Sequence, residues 1–300
     1  MSIERTRAAF NDASVLEQAS LTGKRFERRC STRPRFVESW RKTIKPEDGQ
    51  LTDDDVLGSK LRVRVWVART QALLQARSSH KILTNEDWSM LERLQTRPAR
   101  DCAMAAKLLL RLGLTLTVER SIGPREWRFQ TTLLGRPLIS GSLASINFSI
   151  SHTDALVAVA VSSQLGLGVD VESVDQDLTG NLIAGYCHAE EQKALQRLPP
   201  QRRAREFIRL WTQKEAYTKL LGCGHFMEFS SIECLAGSAH LKHGPGLNSA
   251  IHLENFYLPV DHCLYHASLA IDKSRSNPGP IDLQLISLGD PGGSIDAGPQ

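Results

Sequence analysis

The chain has 300 residues, of which 41% are hydrophobic and 23% charged, with a formal net charge of +4. These values exclude disorder throughout and a coiled coil, and the longest apolar run, Ala155–Val161, falls far short of the roughly 20 residues a membrane helix needs. Six cysteines without a CxxC pair read as reduced thiols of a cytoplasmic protein, and the weak positive charge favours an anionic partner without implying nucleic acid.

The segment Lys24–Lys45 is strongly basic with scattered aromatics, and residues 46–60 are acidic and turn-rich. Together, residues 1–60 read as a loosely ordered leader and linker, with a nucleic-acid-binding arm as the rival reading. Ordered structure is expected from Leu61, where Leu61, Val63, Val65 and Val67 recur at the strand period and share a face. Thr84 reads as the N-cap of a helix with Asp87 in its first turn. A second helix is expected over Asp101–Leu112, closed by Gly113. Trp127 and Phe129 suggest a strand, and Gly135-Arg136-Pro137 a turn. Two strands follow around Thr153-Asp154, then a third ending in Gly168-Val169-Asp170-Val171-Glu172. A helix over Ala189–Leu198 should stop at Pro199-Pro200. The most regular helix runs from Glu206 to Leu221, with Gly222 as its end. Strands return at Ile251–Leu258, His262–Ile271 and Asp282–Leu288, and the tail from Gly289 is rich in Gly, Pro and Ser.

Four groups of residues carry candidate chemistry. On the strand, Asp170 and Glu172 project to one face about 7 Å apart, which suits a hard divalent cation such as Mg2+ but also fits an edge strand with two solvated acids. On the helix, Glu215 and Lys219 are i,i+4 neighbours, so a metal ligand beside a phosphate contact competes with a surface ion pair. Ser151-His152 invites a hydrolase reading, yet adjacent strand residues face opposite ways and no GxSxG elbow is present. Arg136, at a turn, suits a phosphate or simply water. Zinc is set aside, because His262 and His266 lie on a strand whose i,i+4 span is about 13 Å.

In order along the chain, Gly135-Arg136-Pro137, Phe148-Ser149-Ile150-Ser151-His152, Gly168-Val169-Asp170-Val171-Glu172 and the run from Trp211 through Lys214-Glu215 and Lys219 to Gly222 form one pattern. It resembles the Sfp-type 4′-phosphopantetheinyl transferases over about residues 61–272. The resemblance implies an α+β fold of two similar lobes with pseudo-twofold symmetry. The N-terminal lobe would span residues 61–145, the C-terminal lobe with the metal site 146–272, and a mostly flexible tail 273–300. It implies transfer of the 4′-phosphopantetheine arm of coenzyme A to a serine of an apo acyl or peptidyl carrier protein, with 3′,5′-ADP as the second product. Asp170, Glu172 and Glu215 would hold Mg2+. Glu215, Lys219, Glu190 and Lys214 would be catalytic, and Arg100, Arg136, Ser151, His152 and Lys219 would bind coenzyme A. The chain departs from the family pattern in having Arg136 for the usual lysine, Ser149 for an asparagine and Tyr186-Cys187 for an aromatic pair. The expected protein is a monomeric cytoplasmic enzyme that meets neither membrane nor nucleic acid. The rivals are a non-catalytic scaffold of the same fold that binds carrier protein or nucleic acid, and a hydrolase using Ser151.

Overall fold

The computed structural model describes residues 36–44, 61–75, 79–118, 122–175, 180–223, 227–234, 241–243, 250–260, 262–274 and 281–288. Along the first half run β1 (Phe36–Ile44), β2 (Leu61–Arg69), α1 (Thr70–Leu74), α2 (Ser79–Ile82), α3 (Asn85–Glu92) and α4 (Arg97–Thr117). A small hairpin, β3 (Phe129–Thr131) and β4 (Pro137–Ile139), leads to β5 (Asn147–His152), β6 (Leu156–Ser162) and β7 (Gly166–Ser173). The second half holds α5 (Gly180–Tyr186), α6 (Ala189–Gln196) and α7 (Pro200–Leu221). The hairpin β8 (Ile232–Cys234) and β9 (Leu241–His243) precedes β10 (Ile251–Val260), β11 (Cys263–Asp272) and β12 (Ile281–Leu288). None of the described helices is long and apolar enough to cross a membrane.

The strands form a five-stranded sheet, ordered β1-β12-β2-β6-β5, and a three-stranded sheet, ordered β10-β11-β7. Every pairing is antiparallel except β12 with β2. The period-2 pattern of β2 explains the layering. Val63, Val65 and Val67 enter an apolar layer shared with Val169, Val171 and Leu269 of the smaller sheet. Trp66 and Ala68 enter a second layer with Leu108, Leu109 and Leu114 of α4. On the far side, α7 covers the smaller sheet through Trp211, Ala216 and Leu220. The order is therefore helix, sheet, sheet, helix.

Local signals landed where their chemistry is local. Thr84 and Asp87 form a capping box, with the Asp87 backbone N–H donating to Thr84 Oγ1 at 3.3 Å and the Thr84 N–H to Asp87 Oδ2 at 2.9 Å. Gly222 ends α7 at φ 71°. Two helix boundaries differ from expectation. Gly113 lies inside α4, where a Cβ would stand 3.0 Å from Trp66 Cδ1, so this glycine makes room for an indole. Helix α6 ends at Gln196, ahead of Pro199-Pro200 as expected, but α7 starts at Pro200 and not at Glu206, because the first turn needs no N–H from a proline.

The domain boundaries are drawn differently by the strands. The Phe36–Ile44 part of the expected leader pairs with β12, while residues 1–35 and 45–60 lie outside the described residues. Within the expected tail, β12 is a central strand with Leu283 and Leu285 fully buried. Strands β5 and β6, expected in the second lobe, belong to the sheet of β2. The run Leu156–Val161 is buried on both faces and takes a neighbour on each side.

Candidate active site

Strand β7 alternates strictly. Leu167, Val169 and Val171 face the layer between the sheets, which leaves Gly168, Asp170 and Glu172 on the side of α7. The close approach of β7 and α7 depends on Gly168. A Cβ there would lie 1.8 Å from the Ala216 carbonyl oxygen and 2.6 Å from the Leu220 nitrogen, so any side chain would push the helix off the strand. From Leu210 to Leu220 the helix is buried except at Glu215 and Lys219, which are half-buried and one turn apart. At this approach Lys219 Nζ donates to Asp170 Oδ1 at 2.6 Å.

A third element reaches the same carboxylate. Strand β5 belongs to the other sheet, yet its serines bond the backbone of β7. The Val169 N–H donates to Ser149 Oγ at 2.9 Å and the Val171 N–H to Ser151 Oγ at 3.3 Å. Ser151 Oγ in turn donates to Asp170 Oδ1 at 2.7 Å. Asp170 is 4% exposed, and its second oxygen, Oδ2, is buried with no hydrogen-bond partner among the described residues. A buried carboxylate oxygen left bare is costly, and a hard divalent cation is a chemically suitable partner. At the next residue of β5, burial above all, and then the charge of Lys219, push the His152 imidazole down to about 4, so the ring is neutral at pH 7.

The segment that carries this strand and helix matches a family model. Residues 166–264 match the model described as the 4'-phosphopantetheinyl transferase superfamily. Similar curated proteins include the 4'-phosphopantetheinyl transferase gsp of Aneurinibacillus migulanus, 29% identical over 35% of this chain and 42% of that protein. HetI of Nostoc sp. is 32% identical over 38% of this chain and 47% of that protein. The transferase psf-1 of Bacillus pumilus is 32% identical over 35% and 43%. The chain thus aligns with less than half the length of each of these three relatives. The similarity to this superfamily is carried by residues 166–264. The matched segment opens at Gly166, the first residue of β7, so Arg100, Arg136, Ser151 and His152 lie ahead of it.

The other expected site residues are placed as follows. Glu172 and Glu215 are half-buried, but among the described residues no three His, Cys, Asp or Glu groups are gathered into a metal-holding cluster. The expected triad is therefore not closed. Lys219 stands against Asp170 and offsets charge that three adjacent carboxylates would otherwise share. Lys214 departs from its expected catalytic role. It is 1% exposed, and its three N–H groups donate to Tyr186 O, Phe229 O and Glu191 Oε2, at 2.9, 2.9 and 2.6 Å. With every proton engaged, it clips α7 to α5, α6 and the turn before β8.

At the start of α6 the structure buries Glu191 and leaves Glu190 exposed. Glu191 is 5% exposed and accepts from Lys214, the His188 N–H and the Cys234 N–H. Glu190 is at the surface, where its hydrogen bond and charge pairing with Lys193 hold its carboxyl below the usual range. The capping-box spacing from His188 to Glu191 was the available signal. Arg100 donates to Leu91 O and Leu94 O at 3.2 and 3.0 Å, which ties α4 to the end of α3. Arg136 donates through Nη1 to Leu220 O at 2.8 Å, so the β3–β4 turn caps the C-terminal end of α7.

Proposed function

We propose that this chain transfers the 4′-phosphopantetheine arm of coenzyme A to a serine of an apo acyl or peptidyl carrier protein and releases 3′,5′-ADP. The observation that carries the reading is the Asp170 carboxylate, with one oxygen engaged by Ser151 and Lys219 and the other buried and bare. Asp170 Oδ2 would hold Mg2+, with Glu172 and Glu215 as its further ligands. Bound there, the ion would neutralise the pyrophosphate of coenzyme A and the charge that develops on it.

The residues of the chain divide the remaining work. Lys219 places an ammonium at the mouth of the site, where a pyrophosphate oxygen can share it with Asp170. His152, neutral at pH 7, offers coenzyme A one N–H donor and no positive charge. Removal of the carrier serine's proton falls to Glu215, one turn from Lys219, in preference to Glu190, which is paired with Lys193 at the surface. Arg136 retains a role toward coenzyme A only with the guanidinium nitrogens not bound to Leu220. In this reading the two helix-covered sheets are the two lobes of the fold, coenzyme A lies where β5 meets β7, and the enzyme is a monomer of the cytoplasm. A serine hydrolase is disfavoured by Ser151, whose proton goes to Asp170 and not to a histidine.

The test is direct. Purified protein, Mg2+, coenzyme A and a panel of apo-carriers are mixed, and intact mass is read for a gain of about 340 Da. EDTA abolishes the gain, and Asp170→Ala lowers its rate on the order of 100-fold. A folded protein that modifies no carrier would favour the scaffold reading.

A further inference from the structure

We infer that the corner between α6 and α7 docks an acidic face of the protein that presents the acceptor serine, an inference that rests on reading the chain as a transferase. It follows from where the charges of residues 186–209 go. Every acid there is already engaged: Glu191 is buried against Lys214, Glu190 is paired with Lys193, and Glu206 accepts twice from Arg209. Arg203 donates to Leu195 O and Leu198 O, both at 3.0 Å, and so ties α7 to the end of α6. Arg197, Arg202 and Arg205 are left over. All three are exposed, and among the described residues their guanidinium groups make no hydrogen bond or ion pair. Helix stability does not account for them. Arg202 lies in the first turn of α7, which holds no acid, and a cation there opposes the helix dipole.

The chemistry of the corner selects among anionic partners. Nucleic-acid binders commonly engage about 6–10 phosphates, and three arginines are few by comparison. The large apolar side chains exposed among the described residues are all leucines, so no aromatic ring is offered for bases to stack on. None of those leucines lies within residues 186–209, so the corner lacks the apolar contact by which a lipid surface is entered. Carboxylates, in contrast, take arginine forks two bonds at a time. The position also suits the reaction. Arg205 and Lys219 share α7 at a separation close to four turns, which puts them on nearly one face about 21 Å apart. A partner domain of about 100 residues, with a radius of gyration of about 13 Å, spans that distance, so it can touch the corner while its serine reaches Lys219.

The test uses the full chain and the apo-carrier of the panel that wild type modifies fastest. Rates are read by intact mass for wild type, for Arg202→Glu/Arg205→Glu and, as a control, for Lys81→Glu/Arg93→Glu, two exposed cations of α2 and the end of α3. Glutamate in the first turns of α7 favours the helix, and circular dichroism checks the fold. The arginine pair variant should raise the KM for the carrier about 10-fold at about 50 mM salt, with kcat and the KM for coenzyme A within about twofold of wild type. At about 500 mM salt the difference should shrink to about twofold, because exposed charges are screened. The control should stay within about twofold throughout. In parallel, a labelled DNA duplex of about 20 bp is titrated into wild type, where no saturable binding is expected. An unchanged carrier KM in the arginine variant, an equal rise in the control, a rise that salt does not relieve, or DNA binding that the arginine variant abolishes overturns the assignment. Should the glutamate variant not fold, Arg202→Gln/Arg205→Gln replaces it under the same criteria. A wild type that modifies a carrier while the arginine variant matches its KM sinks the docking corner alone. A wild type that modifies no carrier sinks the transferase reading and this inference with it.

Discussion

Helix α4 on the larger sheet and helix α7 on the smaller one solve the same packing problem by opposite means. Each reaches its sheet through a glycine. In the first pair the glycine is Gly113 on the helix, and what fills the space is the Trp66 ring. In the second it is Gly168 on the strand, and what arrives is the helix backbone itself. The buried faces differ accordingly. Against the larger sheet α4 buries Ala105, Ala106, Leu108, Leu109 and Leu114, whereas α7 buries Thr212, Gln213, Lys214 and Thr218 among its apolar residues. Thr212 Oγ1 lies 2.8 Å from both His266 Nδ1 and Ser268 Oγ, and Gln213 Nε2 donates to Asn255 Oδ1 at 3.0 Å. A layer of side chains insulates one helix from its sheet. Direct backbone approach brings polar groups of the other together, and the candidate site lies there.

The two helices also differ in their buried ion pairs, and breaking each gives the largest expected contrast. Lys214→Met removes the cation from Glu191 at 2.6 Å and should cost about 3–5 kcal/mol in urea unfolding. Arg111→Met leaves Asp87 with Lys107 at 3.3 Å and with its Thr84 donors, so its cost should be smaller, about 2 kcal/mol. Equal costs would mean that the two pairs are not the distinct devices described above.

The glycines come next. Gly168→Ala should lose about 3 kcal/mol, because the obstruction at 1.8 Å is backbone and cannot turn aside. It should also separate Lys219 from Asp170 and weaken Mn2+ binding. A Gly168→Ala protein with wild-type stability would remove the physical basis of the site.

Acid should affect the buried imidazoles and the buried Asp87 carboxylate at different pH. Burial pushes the imidazoles of His152 and His266 down to about 4 and about 3. The unfolded chain takes up these protons near pH 6.5 and the folded one does not, so their contribution is complete above that pH and is lost as pH falls. Between pH 7 and pH 5 each should cost about 2 kcal/mol. Burial raises the Asp87 carboxyl, but Lys107, Arg111 and the Thr84 N–H outweigh it and leave it below its usual value. Its loss therefore begins only as pH drops through the carboxylate range. Urea titrations at pH 7 and 5 check this, and His266→Gln should flatten the difference by its share.

The smallest effect should be Gly113→Ala. The Trp66 ring at 3.0 Å must give slightly, and the helix gains about 1 kcal/mol from alanine's propensity, so the net change should stay within about 1 kcal/mol. A loss as large as that of Gly168→Ala would erase the distinction between a glycine facing a side chain and one facing backbone.

Sequence by itself determined what depends on near neighbours. Val63, Val65 and Val67 sharing a face, the Thr84–Asp87 cap, the alternation through Asp170 and the Gly222 stop are each fixed by φ, ψ and side-chain period over a few residues. The order of short motifs also sufficed to indicate the superfamily. Tertiary structure decided which of two adjacent acids is buried, since only the arrival of Lys214 from α7 distinguishes Glu191 from Glu190. It decided that Arg136 caps a helix 84 residues away and that Ser151 holds Asp170 across two sheets. It also placed β1 and β12 in the sheet of β2. Such pairings join residues far apart in the chain, and no local period records which strand edge or carbonyl will be waiting for them.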